Sequence, residues 1–471
     1  MSLFPEDPSR LPVDLEIGSL GRFRFEELLR SLPGRRLVFR VRWEDKPVLA
    51  KIFTGAAADR EARRDLCAIG AMSRLGMPVA DPLVEEPVAI GPARVVLYEY
   101  LSGALSFGEA WRGAGGPRRR ALLADLFALV ASQHEAGFVQ EDPHLDNFLV
   151  DASGRVRAID GGAYRRDSVP LASRPAQRNL GLLVAQFPYG THPAIVEALE
   201  AYRRRRGFAD SVGFVEGVCL QAARWRHYRA RKLSRKCLRD CTEFRVREKE
   251  GLRLFQRREI DPRRIDAWIS EALSGPRQED DLLKAGNSQT LWVAPMDGRE
   301  VVVKRYNVKT WLHGLRRLLF SSRGRRSWRN AHRLRAYGIA TPRPLLFVEE
   351  RRGFRRRAWL VAEKAAGERA DRFFERIGGD DEAIRKVASV VAAFARNGLV
   401  HGDMKASNFL VSEKGVQVID LDSLRRPRWR WLRERGVRAD RERFLRNWKD
   451  PELREAFEKA LAEAEARMGL C

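Results

Sequence analysis

A chain of 471 residues can hold two large domains, and with 44% hydrophobic residues it can bury a core in each. The charged fraction is 32% with both signs mixed along the chain, which argues against wholesale disorder. A net charge of +25, from 88 Lys and Arg against 63 Asp and Glu, excludes an acidic solvating protein and favours anionic partners: nucleic acid, a phosphorylated glycolipid or an anionic membrane face.

The N-terminal run MSLFPEDPSRLPVDLEIG is acidic and proline-containing and lacks the apolar segment of a signal peptide. No stretch approaches the roughly 18 apolar residues of a membrane-spanning helix. Cys67, Cys219, Cys237, Cys241 and Cys471 form an odd, sparse set, which points to free thiols and a reducing compartment. A cytoplasmic protein is expected, with any membrane contact peripheral.

The first elements in the chain are strands. Val48–Phe53 is an apolar run with one lysine, Lys51, behind the charged turn Glu44-Asp45-Lys46-Pro47, the pattern of a hairpin. A helical stretch follows around Glu61. Another β-rich run spans Ala93–Tyr100, and an amphipathic helix runs over about Arg118–Gly137. It leads into GFVQEDPHLDNFLVDASGRVRAIDGG, from Gly137 to Gly162. Helical patterns recur at Asn179–Gln186 and Pro193–Arg206, and the very basic Arg224–Arg239 is either a linker or the start of the second half.

The second half repeats the series. Val301–Tyr306 carries Lys304 behind Asp297-Gly298-Arg299-Glu300, Ala358–Glu363 is β-rich, and Asp381–Gly398 is helical. Then comes GLVHGDMKASNFLVSEKGVQVIDLD, from Gly398 to Asp422, and a last helix over Pro451–Met468. A repeat this long is a duplicated domain and not a solenoid. Each half runs strands first and helices later, an α+β order. Two domains are expected, 1–225 and 226–471, with the boundary between 206 and 250. Each has a small β-rich lobe and a larger helical lobe.

Phosphoryl transfer from ATP needs a cation for the phosphates, a carboxylate to take the acceptor proton, and oxygen ligands for Mg²⁺. The second half offers Lys304, then Asp403, then Asn408 five residues on, then Asp420, with Lys405 placed to offset charge on the transferring phosphate. The first half offers Lys51, Asp142, Asn147 and Asp160, with His144 where Lys405 stands. Each also has a plain structural reading, such as a turn former or a solvated strand lysine, but the series in order, twice, favours chemistry.

HGDMKASNFLV resembles the catalytic loop of the protein-kinase-like superfamily, with IDLD in the place of its magnesium motif. Within that superfamily the chain resembles the bacterial lipopolysaccharide kinases, the heptose and Kdo kinases of the inner core. The residues behind this are Asp403–Val411, Ile419–Asp422, the run from Ser321 to Leu345, Pro143–Val150 and Arg178–Phe187. The resemblance implies ATP and Mg²⁺ as cofactors and a lipopolysaccharide-core or lipid-linked sugar as acceptor, with no nucleic-acid partner. It also implies peripheral attachment to the anionic cytoplasmic face of the inner membrane.

The departures leave alternatives. Gln140 and Glu141 flank Asp142 where His401 and Gly402 flank Asp403, and Gly161-Gly162 replaces Leu421-Asp422. The resemblance implies an ion pair between the strand lysine and a helix glutamate: Glu61 is the carboxylate expected to pair with Lys51, but in the second half that place falls near Ser327-Trp328, so no carboxylate is evident for Lys304. The phosphate-covering candidates, Leu32–Arg36 and Lys284–Thr290, are poor glycine loops. A pseudokinase scaffold with one or both domains inactive, or an atypical protein kinase, is therefore the competing reading. Neither half has the long activation segment that forms a peptide platform, which favours a sugar. The arginines and aromatics of Leu315–Arg335, including Trp328, and of Arg428–Trp431 are candidate membrane patches.

Overall fold

The computed structural model describes residues 4, 11–32, 34–187, 192–209, 211–286, 289–307, 322–350 and 357–469. The chain divides into two compact units, Met1–Gln186 with Pro193–Ala222, and Phe187–His192 with Ala223–Cys471. The division falls within the helix Ser211–Lys236, which absorbs the basic stretch Arg224–Arg239 up to Lys236.

In the first unit a six-stranded antiparallel sheet has the order Val13–Glu16, Arg22–Leu32, Arg36–Trp43, Lys46–Phe53, Ala93–Glu99, Val88–Ile90. The alternation that makes these strands is plain in Arg36–Trp43. Leu37, Phe39 and Val41 are buried, and arginines at 36, 40 and 42 point the other way. Glu44 and Asp45 both take positive φ, 47° and 59°, the conformation of a two-residue hairpin whose twist matches its strands. Phe23, Phe25, Phe39, Ile52, Val95 and Leu97 form the core of this sheet.

The helix Ala58–Arg74 follows the lysine strand, and the helix Gly116–Glu135 leads to the strand Phe138–Gln140. The hairpin Phe148–Val150 with Val156–Ala158 comes next, and the helices Ser173–Val184 and His192–Arg205 follow.

The second unit has a seven-stranded antiparallel sheet. Its order is Phe244–Lys249, Leu252–Arg257, Pro344–Glu350, Ala358–Glu363, Arg299–Tyr306, Gln289–Met296, Leu282–Lys284. Its helical part contains Ala370–Ile377, Asp381–Arg396, Arg430–Leu445 and Pro451–Gly469. Phe374, Phe444, Trp448 and Phe457 meet at ring-centroid distances of 4.4–5.6 Å at the centre of that core. Each such ring contributes roughly 1.5–3 kcal/mol by burial.

After Lys236 the strands Phe244–Lys249 and Leu252–Arg257 open the second sheet, and the helix Pro262–Ala272 packs Ile265 and Ile269 against it. One expectation needs correction: not all thiols are free, because Cys219 is disulfide-bonded while Cys67, Cys237 and Cys241 are free. No helix among the described residues is long and apolar enough to cross a membrane.

Candidate functional site

In the second unit, Lys304 lies in the strand Arg299–Tyr306, and its Nζ is 2.7 Å from Asp420 Oδ1 and 3.0 Å from Asp422 Oδ1. Asp420 ends the return strand Gly415–Val418 and Ile419, and it takes left-handed backbone, φ 58° and ψ 62°. For a non-glycine residue that conformation costs of order 1–3 kcal/mol and clusters at functional sites. Asp422 is buried and heavily partnered. Arg323 donates to it at 2.8 Å, Tyr306 Oη at 3.1 Å, and Ser327 Oγ also donates to it. Burial pushes its carboxyl pKa up, but Lys304, Ser327 and Arg323 outweigh that and hold it below the usual value.

The loop residues sit beside this pair. Asn408 Nδ2 donates to the Asp403 carbonyl at 2.8 Å, which commits the amide nitrogen and leaves the amide oxygen for another ligand. Lys405 Nζ is 3.0 Å from Asp403 Oδ1, and both side chains are substantially exposed. Beneath the loop, buried Asp440 accepts from the backbone N–H of His401 at 2.6 Å and of Gly402 at 3.1 Å. Asp440 thereby fixes the backbone that carries Asp403.

The first unit brings the counterpart residues together differently. Lys51 is buried, with its Nζ 3.0 and 3.2 Å from the two oxygens of Asp65 and 3.0 Å from the Ile159 carbonyl. Asp65 lies on the helix Ala58–Arg74 and also accepts from Tyr98 Oη at 2.6 Å and from the Gly162 N–H at 2.9 Å. This helix sits flush on the chain after Asp160: a Cβ at Gly161 would come within 2.1 Å of the Asp65 carbonyl, so only glycine fits. Asn147 Nδ2 donates to the Asp142 carbonyl at 3.0 Å, as Asn408 does to Asp403. Asp160 is gripped by both guanidinium nitrogens of Arg36, at 3.3 and 3.4 Å. Burial raises its carboxyl pKa, yet Lys51 and Arg36 together drive it far below the carboxylate range.

These contacts correct three expectations. Glu61 is not the partner of Lys51: it pairs with Arg35 at 2.7 Å, and Asp65, one helical turn on, holds the lysine. Lys304 does have carboxylate partners, Asp420 and Asp422, neither of them on the helix Arg323–Ala336. Trp328 is fully buried, with its indole N–H on the Cys237 carbonyl, so it belongs to a core and not to a membrane patch. Residues 308–321, which hold Arg316 and Arg317, lie outside the described residues.

Asp65, Asp422, Arg36 and Asp440 are the site residues that motif spacing alone passes over. Asp422 carried a signal in the doubled Asp of IDLD. Asp65 carried one in its place one turn after Glu61 on the same helix.

The Lipopolysaccharide kinase (Kdo/WaaP) family model matches residues 279–464. Over that segment, which is under half of its length, the chain is similar to that family. It is an ATP-dependent kinase, and the matched segment contains Lys304, Asp403, Lys405, Asn408, Asp420 and Asp422. The donor set of the kinase suits a hard divalent cation. Mg²⁺ takes one or two protein oxygens and completes its shell with water and phosphate, and the Asp420 carboxylate with the Asn408 amide oxygen is such a pair. Among the described residues no cluster of three or more His, Cys, Asp and Glu could hold a metal ion.

Proposed function

We propose that the chain is a tandem of two protein-kinase-like domains, and that the second transfers the γ-phosphate of ATP to a heptose or Kdo hydroxyl of the lipopolysaccharide inner core. The observation that carries this reading is the Lys304–Asp420–Asp422 cluster beside Asp403 and Asn408, inside the segment of the family match. Lys304 would hold the phosphates. Asp403 would orient the acceptor hydroxyl and accept its proton at the carboxylate, and Lys405, already 3.0 Å away, would offset charge on the transferring group. Mg²⁺, held by Asp420 and Asn408, would supply charge neutralisation across the phosphates. Asp422 keeps Lys304 extended, and Asp440 keeps the loop fixed.

The chain would reach its acceptor at the cytoplasmic face of the inner membrane. Trp429 and Trp431 are exposed by 59% and 60% beside Arg428 and Arg430, a combination that suits the headgroup layer.

The test is transfer of labelled phosphate from ATP to purified lipopolysaccharide truncated either to Kdo alone or to heptose plus Kdo, with the modified sugar mapped by mass spectrometry. Label on one of those sugars is expected. Label on neither, with nucleotide still consumed, would overturn the proposed acceptor.

A further inference from the structure

Resting on the kinase reading above, we infer that the first unit is built not to take Mg²⁺: Arg36 occupies the place of the cation on Asp160, so the chain has a single metal-nucleotide site, in the second unit. Three observations support this. Arg36 pairs across the hairpin with Phe53, two residues beyond Lys51, and Gln289 pairs with Tyr306, two residues beyond Lys304. At matching places in the two sheets, then, one unit has a permanent cation and the other a neutral amide.

The second observation is the state of the two carboxylates. Asp160 is 18% exposed, is bound in a fork by Arg36, and has Lys51 at 3.8 Å as well. Asp420 is 33% exposed, Lys304 is its ion-pair partner, and the cation of the neighbouring strand position is missing. Guanidinium cannot shed its charge in a protein, and its planar fork matches a carboxylate with both oxygens engaged. A metal arriving at Asp160 would have to displace that fork and then sit against a fixed positive charge.

Third, the backbone differs where a metal carboxylate would be aimed. Asp160 has relaxed extended backbone, φ −125° and ψ 100°, whereas Asp420 holds the left-handed conformation. Strain is maintained where an aspartate has to be presented, and it is absent where the aspartate is already paired.

The experiment is equilibrium dialysis of the full chain with a labelled imido analogue of ATP, in Mn²⁺ and in EDTA. The difference counts metal-dependent nucleotides per chain. Wild type should hold one, and Asp420→Asn should remove it. In the Asp420→Asn background, Arg36→Gln, which copies Gln289, should create a metal-dependent site that adding Asp160→Asn abolishes. Arg36→Lys, which keeps a cation there, should create none and serves as the check that the strand tolerates substitution.

Two metal-dependent nucleotides per wild-type chain, or one that survives Asp420→Asn, would overturn the inference while leaving the kinase reading standing. Failure of Arg36→Gln to create a site would overturn the role of Arg36. Absence of metal-dependent nucleotide in every chain would defeat both readings together.

Discussion

The two units solve one electrostatic problem with residues from different elements. Each carries a lysine on the sheet, buried in the first unit and half-buried in the second, and must supply a carboxylate and a tyrosine to hold it. In the first unit the carboxylate is Asp65 on the helix Ala58–Arg74, the tyrosine is Tyr98 from the neighbouring strand, and the chain after Asp160 is reduced to Gly161-Gly162. In the second unit the carboxylate is Asp422, two residues after Asp420. The tyrosine is Tyr306 on the lysine strand itself, and the helix Arg323–Ala336 contributes Arg323 and the small Ser327 in place of a carboxylate.

The space filled by one side chain in each arrangement is vacated in the other. What is retained is the charge pair, and its address in the sequence is not. A motif search that expects the carboxylate on the helix therefore finds the wrong residue in one half and no residue in the other.

The exchange can be broken directly. Asp422→Gly leaves Lys304 and Arg323 without their shared buried partner, and removing one member of a buried pair costs about 3–5 kcal/mol. Adding Ser327→Asp rebuilds the arrangement of the first unit, so the double variant should recover most of the lost thermal stability in a denaturation cycle. If the double variant is no more stable than Asp422→Gly, the two positions are not interchangeable. Asp65→Ala should destabilise the first unit by a similar amount, read as a fall in the midpoint of its unfolding transition.

A smaller effect reports on the first unit through pH. His134 is buried between Tyr202 Oη at 2.7 Å and Asn179 Oδ1 at 3.0 Å, and burial above all lowers its pKa to about 4. Its folded value lies below its unfolded value of about 6.5, so the unfolded chain takes the proton first. The stability it contributes is present above pH ~6.5 and is lost as pH falls toward about 4, by roughly 3 kcal/mol in all. His134→Gln should flatten the acid limb of the first unit's stability between those values. An unchanged limb would mean that other groups govern it.

The smallest expected effect is at the surface. Trp429→Ala with Trp431→Ala should weaken binding to anionic vesicles, and salt should weaken what remains, since each nearby arginine contributes roughly 1 kcal/mol at such a surface. Binding that ignores both changes would remove the patch from the account.

Much of the fold could be read from the chain because its signals are local. Apolar runs with one lysine set out the lysine strands, charged turns closed the hairpins, and apolar periodicity marked the helices Gly116–Glu135 and Asp381–Arg396. The strands Phe244–Lys249 and Leu252–Arg257 escaped because charged residues alternate through them, in FRVREK and LRLFQR, directly after a basic helix. In the site, the motif residues within each loop were legible, since spacing places Asp and Asn on one turn. The lysine partners were not, because a partner contributed from a distant segment leaves no spacing to read. Arg36 shows the same limit: it stands in a stretch read as a phosphate loop, and its contact is with a residue far along the chain.

With the second unit proposed as the working centre, phosphate transfer to lipopolysaccharide core should be measured for Asp403→Ala in the otherwise intact chain. Loss of a proton-accepting carboxylate is expected to lower the turnover number by roughly 10²–10⁴-fold. Transfer that persists in Asp403→Ala and disappears only when Asp142→Ala is added would place the chemistry in the first unit and contradict the account.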